Sequence, residues 1–269
     1  MHHLSRDVRF CINPFLDTQE AGYNAFAARP TGRGLALFLE LGVALSHSVD
    51  PDTGFVVNVS DIDRIVRRDA VPVIARHVSE QFRRGQHMEF GHVVKLIEKA
   101  GDILIRSFFP CTLEKLSLKL TPFRAITMKP QQTGKIYFSE KFEFAAMHKL
   151  WNTRFTEEEN YRVFGKCAHP SGHGHNYWVE VTIATNHPDM FDSLALEKLV
   201  DDRLIERLDH KNLNEDISYF RHHIPTIENI AEFSWEQLIG HVEQGSLYCV
   251  TVWESDRTSC AYFGSPAPQ

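Results

Sequence analysis

The sequence has little that suits a nucleic acid or a membrane. Its 29 Lys and Arg are outnumbered by 35 Asp and Glu, so the formal charge is −6 and the chain offers no broad basic field for a nucleic-acid backbone. The longest apolar run, 34–45, is interrupted by Glu40 and is shorter than the roughly 20 residues that cross a bilayer. We therefore expect neither a nucleic-acid partner nor a membrane attachment.

The sequence also lacks the marks of a secreted, disulfide-bonded protein. Its first residues do not include the apolar stretch of a secretory signal. The cysteines are odd in number and widely scattered, at Cys11, Cys111, Cys167, Cys249 and Cys260. This pattern disfavours a disulfide framework and favours a reducing cytoplasm, where a thiol stays available for chemistry.

An internal repeat is the main organisational feature that is present. A shift of 138 residues, without a gap, lays 23–45 over 161–183, so that Val43-Ala44-Leu45 falls on Val181-Thr182-Ile183. Further blocks match at nearby offsets and in the same order, which favours a duplication. We predict a first copy at 1–128, a linker at 129–134, a second copy at 135–264 and a tail at 265–269.

Each copy has the pattern strand, strand, helix, helix, strand, strand. In the second copy, the alternating Tyr177, Val179, Val181 and Ile183 indicate a half-buried strand. Apolar spacings of three and four residues predict helices, and the remaining apolar runs predict strands. The predicted helices are 194–208 and 226–239, and the other strands are 135–148, 248–254 and 260–264. The expected fold class is α+β, with helices on one face of an antiparallel sheet.

Three histidines of the second copy form a candidate metal site. His173 and His175 alternate with Gly174, so on a strand both imidazoles project from one face, and the glycine is expected to leave room between them. His148, at the end of the preceding strand, is the candidate third ligand. Three histidines and an open position are typical of a catalytic zinc. Taken alone, any one of the 15 histidines is equally consistent with a surface or hydrogen-bonded core residue.

Other reactive side chains lie close to these histidines in sequence or pattern. Cys167 precedes His173 by six residues, in a turn with Pro170 and Gly172, and a dication and Lys166 are expected to lower its pKa. In Asp209-His210 the carboxylate can orient the imidazole for general acid–base work, although this dipeptide is also common at helix ends. Glu254 stands in an apolar strand, where a carboxylate can accept two N–H donors from a planar ring.

Five segments, taken in order and spacing, resemble the 6-pyruvoyl-tetrahydropterin synthase family. They are Phe144 to Leu150 (FAAMHKL), Glu157 to Tyr177 (EEENYRVFGKCAHPSGHGHNY), Leu208 to Leu213 (LDHKNL), Thr226 to Ala231 (TIENIA) and Val252 to Ser255 (VWES). The run with Cys167, His173 and His175 is the most specific. The resemblance covers 135–264 and makes the first copy a diverged version of the same unit.

The resemblance implies the tunnelling fold, a four-stranded antiparallel sheet with two helices on one face that assembles into an oligomeric barrel. It also implies a zinc-dependent carbon–oxygen lyase that converts 7,8-dihydroneopterin triphosphate to 6-pyruvoyl-tetrahydropterin, with elimination of triphosphate, in tetrahydrobiopterin biosynthesis. By resemblance, the zinc ligands are His148, His173 and His175. The proton-transfer groups are Cys167, Asp209 and His210, and the pterin contacts are Glu254, Thr226 and Glu228.

The chain departs from the family pattern in two places. The family has a Thr-Gly turn between the metal strand and the Asp-His pair; the second copy lacks it in a shortened segment at 184–191, whereas the first copy keeps Thr53-Gly54. The 138-residue shift also places Arg29, Leu35 and Leu37 opposite Cys167, His173 and His175. The first copy is therefore predicted to be structural and catalytically empty.

Two rival functions remain. One is 6-carboxy-tetrahydropterin synthase of the deazaguanine (queuosine) pathway, which shares fold, metal and substrate, although the step from Cys167 to His173 is more similar to the pyruvoyl enzyme. The other is a pterin-binding scaffold without catalysis. Because the family builds its sites between neighbouring units, we expect a homo-oligomer in which second copies meet. A trimer is favoured, with a dimer as the alternative.

Overall fold

The computed structural model describes residues 1–16 and 36–264, and they form two compact units. The first unit is Met1–Phe138 together with Thr185–Phe191, and the second is Ser139–Ala184 together with the chain from Asp192 onward. The boundary therefore lies a few residues after the predicted linker, and the short segment Thr185–Phe191 clusters with the first unit. The predicted tail at 265–269 lies outside the described residues.

The first unit has a four-stranded antiparallel sheet in the order β1-β2-β3-β4. Helix α3 packs on β3 and β4, and α2 packs on β1, so the helices cover one face. Its elements are β1 (His2–Ile12), β2 (Leu37–His47), α1 (Val59–Ile65), a π-helical segment (Val66–Ala70), α2 (Val71–Arg83), α3 (Phe90–Ser107), β3 (Thr112–Lys119) and β4 (Arg124–Met128).

The second unit repeats this arrangement. Its elements are β5 (Ile136–His148), α4 (Glu157–Phe164), β6 (His173–Thr185), α5 (Ser193–Val200), a π-helical segment (Asp201–Ile205), α6 (Glu206–Leu208), β7 (Lys211–Asn212), α7 (Leu213–Asp216), α8 (Ile227–Leu238), β8 (Ser246–Ser255) and β9 (Thr258–Tyr262). Short 3₁₀ turns occur at Gly165–Ala168, Pro188–Met190 and Ser218–Arg221. The strands lie in the order β5-β6-β8-β9, and α8 packs on β8 and β9.

The sequence signals that predicted these elements have clear counterparts in the structure. On β6, Tyr177, Val179, Val181 and Ile183 are all fully buried, as their alternation requires when one face of the sheet is covered. Helix α8 begins after Thr226, whose hydroxyl accepts a hydrogen bond from the backbone amide of a residue in the first turn. The α+β class, with an antiparallel sheet and helices, is confirmed.

The two units share irregularities as well as elements. The strand register shifts between Ala44 and Leu45 on β2 and between Thr182 and Ile183 on β6, which are equivalent positions under the 138-residue shift. Strands β3 and β4 match β8 and β9 at a shift of 134 residues. A π-helical segment follows α1 and α5 at nearly the same offset. We interpret these three shared features as the result of a duplication.

The change of offset from 138 to 134 falls in one loop. The connection from β2 to α1 spans 48–58, whereas that from β6 to α5 spans 186–192 and is four residues shorter. Part of this shortened connection packs within the first unit, where the Phe191 ring lies 4.6 Å from Phe90 and 4.9 Å from Phe138 between centroids. Those contacts explain why Thr185–Phe191 clusters with the first unit.

Candidate active site

The three predicted metal-binding histidines converge at the adjacent ends of β5 and β6. His148 is the last residue of β5, and His173 and His175 lie on one face at the start of β6. The candidate ligand atoms of the three side chains all lie within 4.8 Å of one another. Among the described residues, this is the one group of three such side chains that could hold a metal ion.

The donor atoms in this cluster are suited to a cation. Nε2 of His148 lies 3.1 Å from Nε2 of His173, close to the separation of about 3.3 Å expected for two nitrogens on one tetrahedral zinc. Nε2 of His175 is buried and has no hydrogen-bond partner among the described residues. A buried nitrogen lone pair without a proton donor is costly, and a bound cation would satisfy it. The residues present therefore fit a metal ion.

Burial keeps the imidazoles of His148 and His173 in the form that binds metals. His148 is 1 % exposed, and burial, helped by the neighbouring imidazoles, lowers its pKa to about 4 despite the hydrogen bond to Pro225. Burial also lowers the pKa of His173, and the His175 imidazole adds to the effect. At neutral pH both rings are therefore neutral, which is the protonation state a metal ligand needs.

Glycine is required at one position next to the cluster, and it is not the one expected. Gly172 has φ +65°, and a Cβ there would lie 2.8 Å from the backbone oxygen of His148. A Cβ on Gly174 would meet only the backbone oxygen of Ala146 at 3.6 Å, an ordinary contact. The prediction that Gly174 leaves room between the ligands is therefore wrong. The close approach occurs instead at Gly172, where the loop that follows Cys167 passes the backbone of His148 at the end of β5.

Cys167 lies beside the cluster on the 3₁₀ turn Gly165–Ala168. Its carbonyl accepts a hydrogen bond of 2.9 Å from the amide of Leu150, two residues beyond His148. Burial, and then the Glu254 carboxylate, raise the pKa of the Cys167 thiol, and Lys166 does not offset them; the lowering by a dication stays a prediction. The protein side chains around this thiol therefore favour its protonated form, and a lowered pKa would have to come from a bound cation.

Glu254, near the end of β8, faces the same site. Its Oε1 atom lies 3.7 Å from Nε2 of His175, too far for a hydrogen bond, and its side chain is 26 % exposed. A partly buried carboxylate at this place retains free acceptor capacity. Thr226 caps α8 immediately after Pro225, whose carbonyl contacts His148, so it borders the site. Glu228 lies in the first turn of α8 and is exposed.

Asp209 and His210 are held at a different point of β5. Oδ1 of Asp209 accepts a 2.8 Å hydrogen bond from the amide of Ala145, and the amide of His210 donates to the carbonyl of Ala145 at 2.6 Å. Nδ1 of His210 lies 2.7 Å from Oδ2 of Asp209. The amide of Ala145 and then His210 lower the pKa of the Asp209 carboxyl, so it is ionised and can orient the imidazole.

The structure shows no contact between this pair and Cys167 among the described residues. His210 has φ +57°, an uncommon conformation for a residue other than glycine, and its side chain is 82 % exposed. Ala145 precedes His148 by three residues, which corresponds to about 10 Å along a strand. None of the contacts of His210 among the described residues reaches the histidine cluster or Cys167.

Some residues that support the site were not singled out from the sequence. Asn160 is fully buried, and its side-chain amide donates to the carbonyls of Asn152, Phe155 and Thr156. Asn214 holds both backbone groups of Lys149, next to His148. Buried asparagines that bond to backbone carry no periodic signal, whereas Tyr177 was predictable, since it follows His173 and His175 in the same alternation.

In the first unit, the equivalent part of the sheet is apolar. Leu37, opposite His175 under the 138-residue shift, pairs with the fully buried Ile12 at the end of β1. Arg29 and Leu35, predicted to stand opposite Cys167 and His173, lie outside the described residues. The described part of this region offers hydrocarbon rather than nitrogen ligands.

Known proteins match the second half of the chain. The sequence profile for 6-pyruvoyl tetrahydropterin synthase matches residues 137–265. The human 6-pyruvoyl tetrahydrobiopterin synthase is 40 % identical over 133 residues, which is 47 % of this chain and 90 % of the human protein. This chain belongs to the 6-pyruvoyl tetrahydropterin synthase family. The family resemblance seen in the sequence is thus confirmed.

Two further members of the family match the same region. The Drosophila melanogaster 6-pyruvoyl tetrahydrobiopterin synthase is 32 % identical over 133 residues, covering 48 % of this chain and 79 % of the fly protein. The structure of the Caenorhabditis elegans 6-pyruvoyl tetrahydropterin synthase has 29 % sequence identity and a TM-score of 0.46, covering 49 % of this chain and 96 % of that one. None of the described helices has both the length and the apolar character needed to cross a membrane.

Proposed function

We propose that this protein is a zinc-dependent 6-pyruvoyl-tetrahydropterin synthase whose chemistry lies in the second unit. The observation that carries the proposal is the convergence of His148, His173 and His175 beside Cys167 and Glu254. The proposed substrate is 7,8-dihydroneopterin triphosphate, and the products are 6-pyruvoyl-tetrahydropterin and triphosphate. The reaction breaks a carbon–oxygen bond and moves protons within the substrate side chain.

Each group has a proposed part in this reaction. Zinc held by the three histidines would act as a Lewis acid toward the side-chain oxygens of the substrate. Cys167 would take a proton from the adjacent carbon. His210, oriented by Asp209, would return or relay a proton at the other side of the side chain. Glu254 would accept two N–H donors of the pterin ring, and Thr226 and Glu228 would border the ring.

The lack of any contact between Asp209-His210 and Cys167 among the described residues supports an assembled site. If both sets act on one substrate, the pair must come from a second unit placed beside the cysteine of the first. The exposed His210 side chain is available for such a contact. Because the first copy has no convincing Asp-His pair, we propose an assembly in which second units of different chains meet, with a trimer preferred to a dimer.

Product analysis tests the function. Purified chain loaded with Zn²⁺ should convert 7,8-dihydroneopterin triphosphate to a pyruvoyl pterin and triphosphate, identified by mass. A carboxy pterin together with acetaldehyde would assign the protein instead to the 6-carboxy-tetrahydropterin synthases. Binding of the pterin without any turnover would instead support the scaffold function.

The proposed pterin anchor gives a separate prediction. Glu254→Gln removes one acceptor and the negative charge, and a hydrogen bond to a charged group contributes about 1.5–3 kcal/mol. We therefore expect KM to rise roughly 10- to 100-fold, with zinc content unchanged, in steady-state kinetics. Glu236→Gln, an exposed position on α8, is the matched control and should leave KM as it is. A change confined to kcat would contradict the anchoring role.

A further inference from the structure

His148 has two polar contacts on the side of its ring that faces away from the other ligands. Nδ1 lies 2.7 Å from the carbonyl oxygen of Pro225 and 3.3 Å from the hydroxyl of Tyr177. The opposite ring nitrogen, Nε2, points to His173. The ring of His148 is therefore fully buried, with Nδ1 in contact with Pro225 and Tyr177 and with Nε2 facing the cluster.

These contacts fix which nitrogen carries the proton. A carbonyl oxygen only accepts hydrogen bonds, so Nδ1 of His148 must be the donor to Pro225, and the lone pair of the neutral ring is then on Nε2. We propose that the Pro225 carbonyl and the Tyr177 hydroxyl act together to orient His148 for metal binding, with Tyr177 as a positioning residue. This inference rests on the proposed zinc site.

Tyr177 is itself rigidly placed. It is fully buried on β6, two residues after His175 and on the same face of the strand. Its ring stacks on Phe144 of β5, with centroids 5.0 Å apart and planes 14° from parallel. The body of the side chain thus packs as core, while a buried tyrosine hydroxyl needs a polar partner. His148 provides that partner, so the core of the sheet and the ligand are connected by one side chain.

The Pro225 carbonyl is held by the turn that starts α8. The side-chain amide of Asn229 donates to the carbonyl of Ile224 at 2.7 Å, and the amide of Thr226 donates to the same oxygen at 2.7 Å. These two bonds fix the residues on both sides of Pro225. Asn229 therefore acts on His148 through the turn, without touching the ligand.

His148 differs from His173 in the contacts that its Nδ1 atom makes. Nδ1 of His173 is buried and has no hydrogen-bond partner in the part of the chain that the structure describes. Outer partners of ligating histidines set ring orientation and tautomer, and their loss typically lowers metal affinity 10- to 100-fold. We therefore expect the contacts of Pro225 and Tyr177 with His148 to raise the zinc affinity of the site measurably.

Zinc affinity of isosteric variants tests the inference. Tyr177→Phe keeps the stacked ring and removes only the hydroxyl, so we expect Zn²⁺ binding, measured by competition with a chelating dye, to weaken about 10-fold. Asn229→Asp, which replaces the amide donor by an acceptor, should weaken it as well. Tyr161→Phe is the control, since the ring of Tyr161 packs on Trp151 and none of its described contacts is with a ligand. Wild-type affinity in Tyr177→Phe would overturn the proposal.

A measurement on the wild-type protein decides the question even if a variant fails to fold. In ¹⁵N NMR spectra of the histidine side chains, His148 should carry its proton on Nδ1, both in the metal-free chain and with Zn²⁺ bound. A proton on Nε2 in the metal-free chain would refute the proposal that Pro225 and Tyr177 orient His148. If the wild-type chain bound no Zn²⁺, the proposed function would fail. The tautomer of His148 would still show whether Pro225 and Tyr177 orient its ring.

Discussion

Replacing His175 by alanine should leave a folded chain that no longer retains zinc and no longer turns over substrate. Two imidazoles would remain, and loss of a direct ligand should cost more than the roughly 10- to 100-fold in affinity that an outer partner contributes. His175 is the best choice for this test, because its side chain is 23 % exposed, whereas His148 is buried in the core. Metal analysis after dialysis, together with steady-state turnover, measures both effects.

The control for this variant is His222→Ala, an exposed histidine of the second unit that lies outside the cluster. It should keep the zinc content of the unchanged chain, which we expect to be one ion per chain because the described part of the first unit has no equivalent cluster. Two ions per chain, or full zinc retention in His175→Ala, would contradict the assignment of the ligands.

Cys167→Ala should have the opposite signature, with zinc retained and turnover lost. A positioned acid or base contributes typically 10²- to 10⁴-fold to a rate, and we expect kcat to fall by about that factor. The loop should keep its shape, because Cys167 is tied to Leu150 through its backbone carbonyl rather than through its thiol. Turnover, zinc content and thermal unfolding are the three measurements.

Cys260→Ala, on β9 of the same unit, is the matched control and should keep full activity. It removes a thiol of similar exposure that is not part of the proposed proton-transfer set. If Cys167→Ala retained turnover, the thiol would be a packing residue, and the proton would have to be moved by another group of the site.

Much of the second unit could be predicted from the sequence. The strand with Tyr177 and Val179 and the two longer helices follow from apolar periods of two and of three to four residues. The helix predicted at 226–239 is Ile227–Leu238, whereas the one predicted at 194–208 is interrupted after Val200 by a π-helical segment that no period indicates. The histidine cluster was also predicted, because alternation on one strand fixes where His173 and His175 point.

Other features depend on contacts that no period records. Helix α4 begins with reciprocal hydrogen bonds between Thr156 and Glu159, but it is short, and its buried residue is the polar Asn160 rather than an apolar one. The pKa of Cys167 depends on how deeply the loop packs and on a carboxylate from β8, distant in sequence. Asp209 and His210 stand out in the sequence only as a dipeptide, whereas their position is set by a backbone pairing with Ala145.

The π-helical segments limit how the protein can tolerate insertions and deletions. Buried side chains recur every fourth residue along α1 and α2, at Ile62, Val66, Ala70, Ile74 and Val78, and along α5 and α6, at Leu196, Val200, Leu204 and Leu208. In a regular α-helix each four-residue step turns the stripe by about 40°, so four steps would carry it almost to the opposite side. The wider turn at Val66–Ala70 or Asp201–Ile205 keeps the stripe on the sheet. A π-helical turn holds one residue more than an α-helical turn, so deleting one residue at Val66–Ala70 or Asp201–Ile205 leaves a regular α-helix with the later side chains in place. A deletion elsewhere in these helices rotates all later side chains by about 100° and exposes them to water.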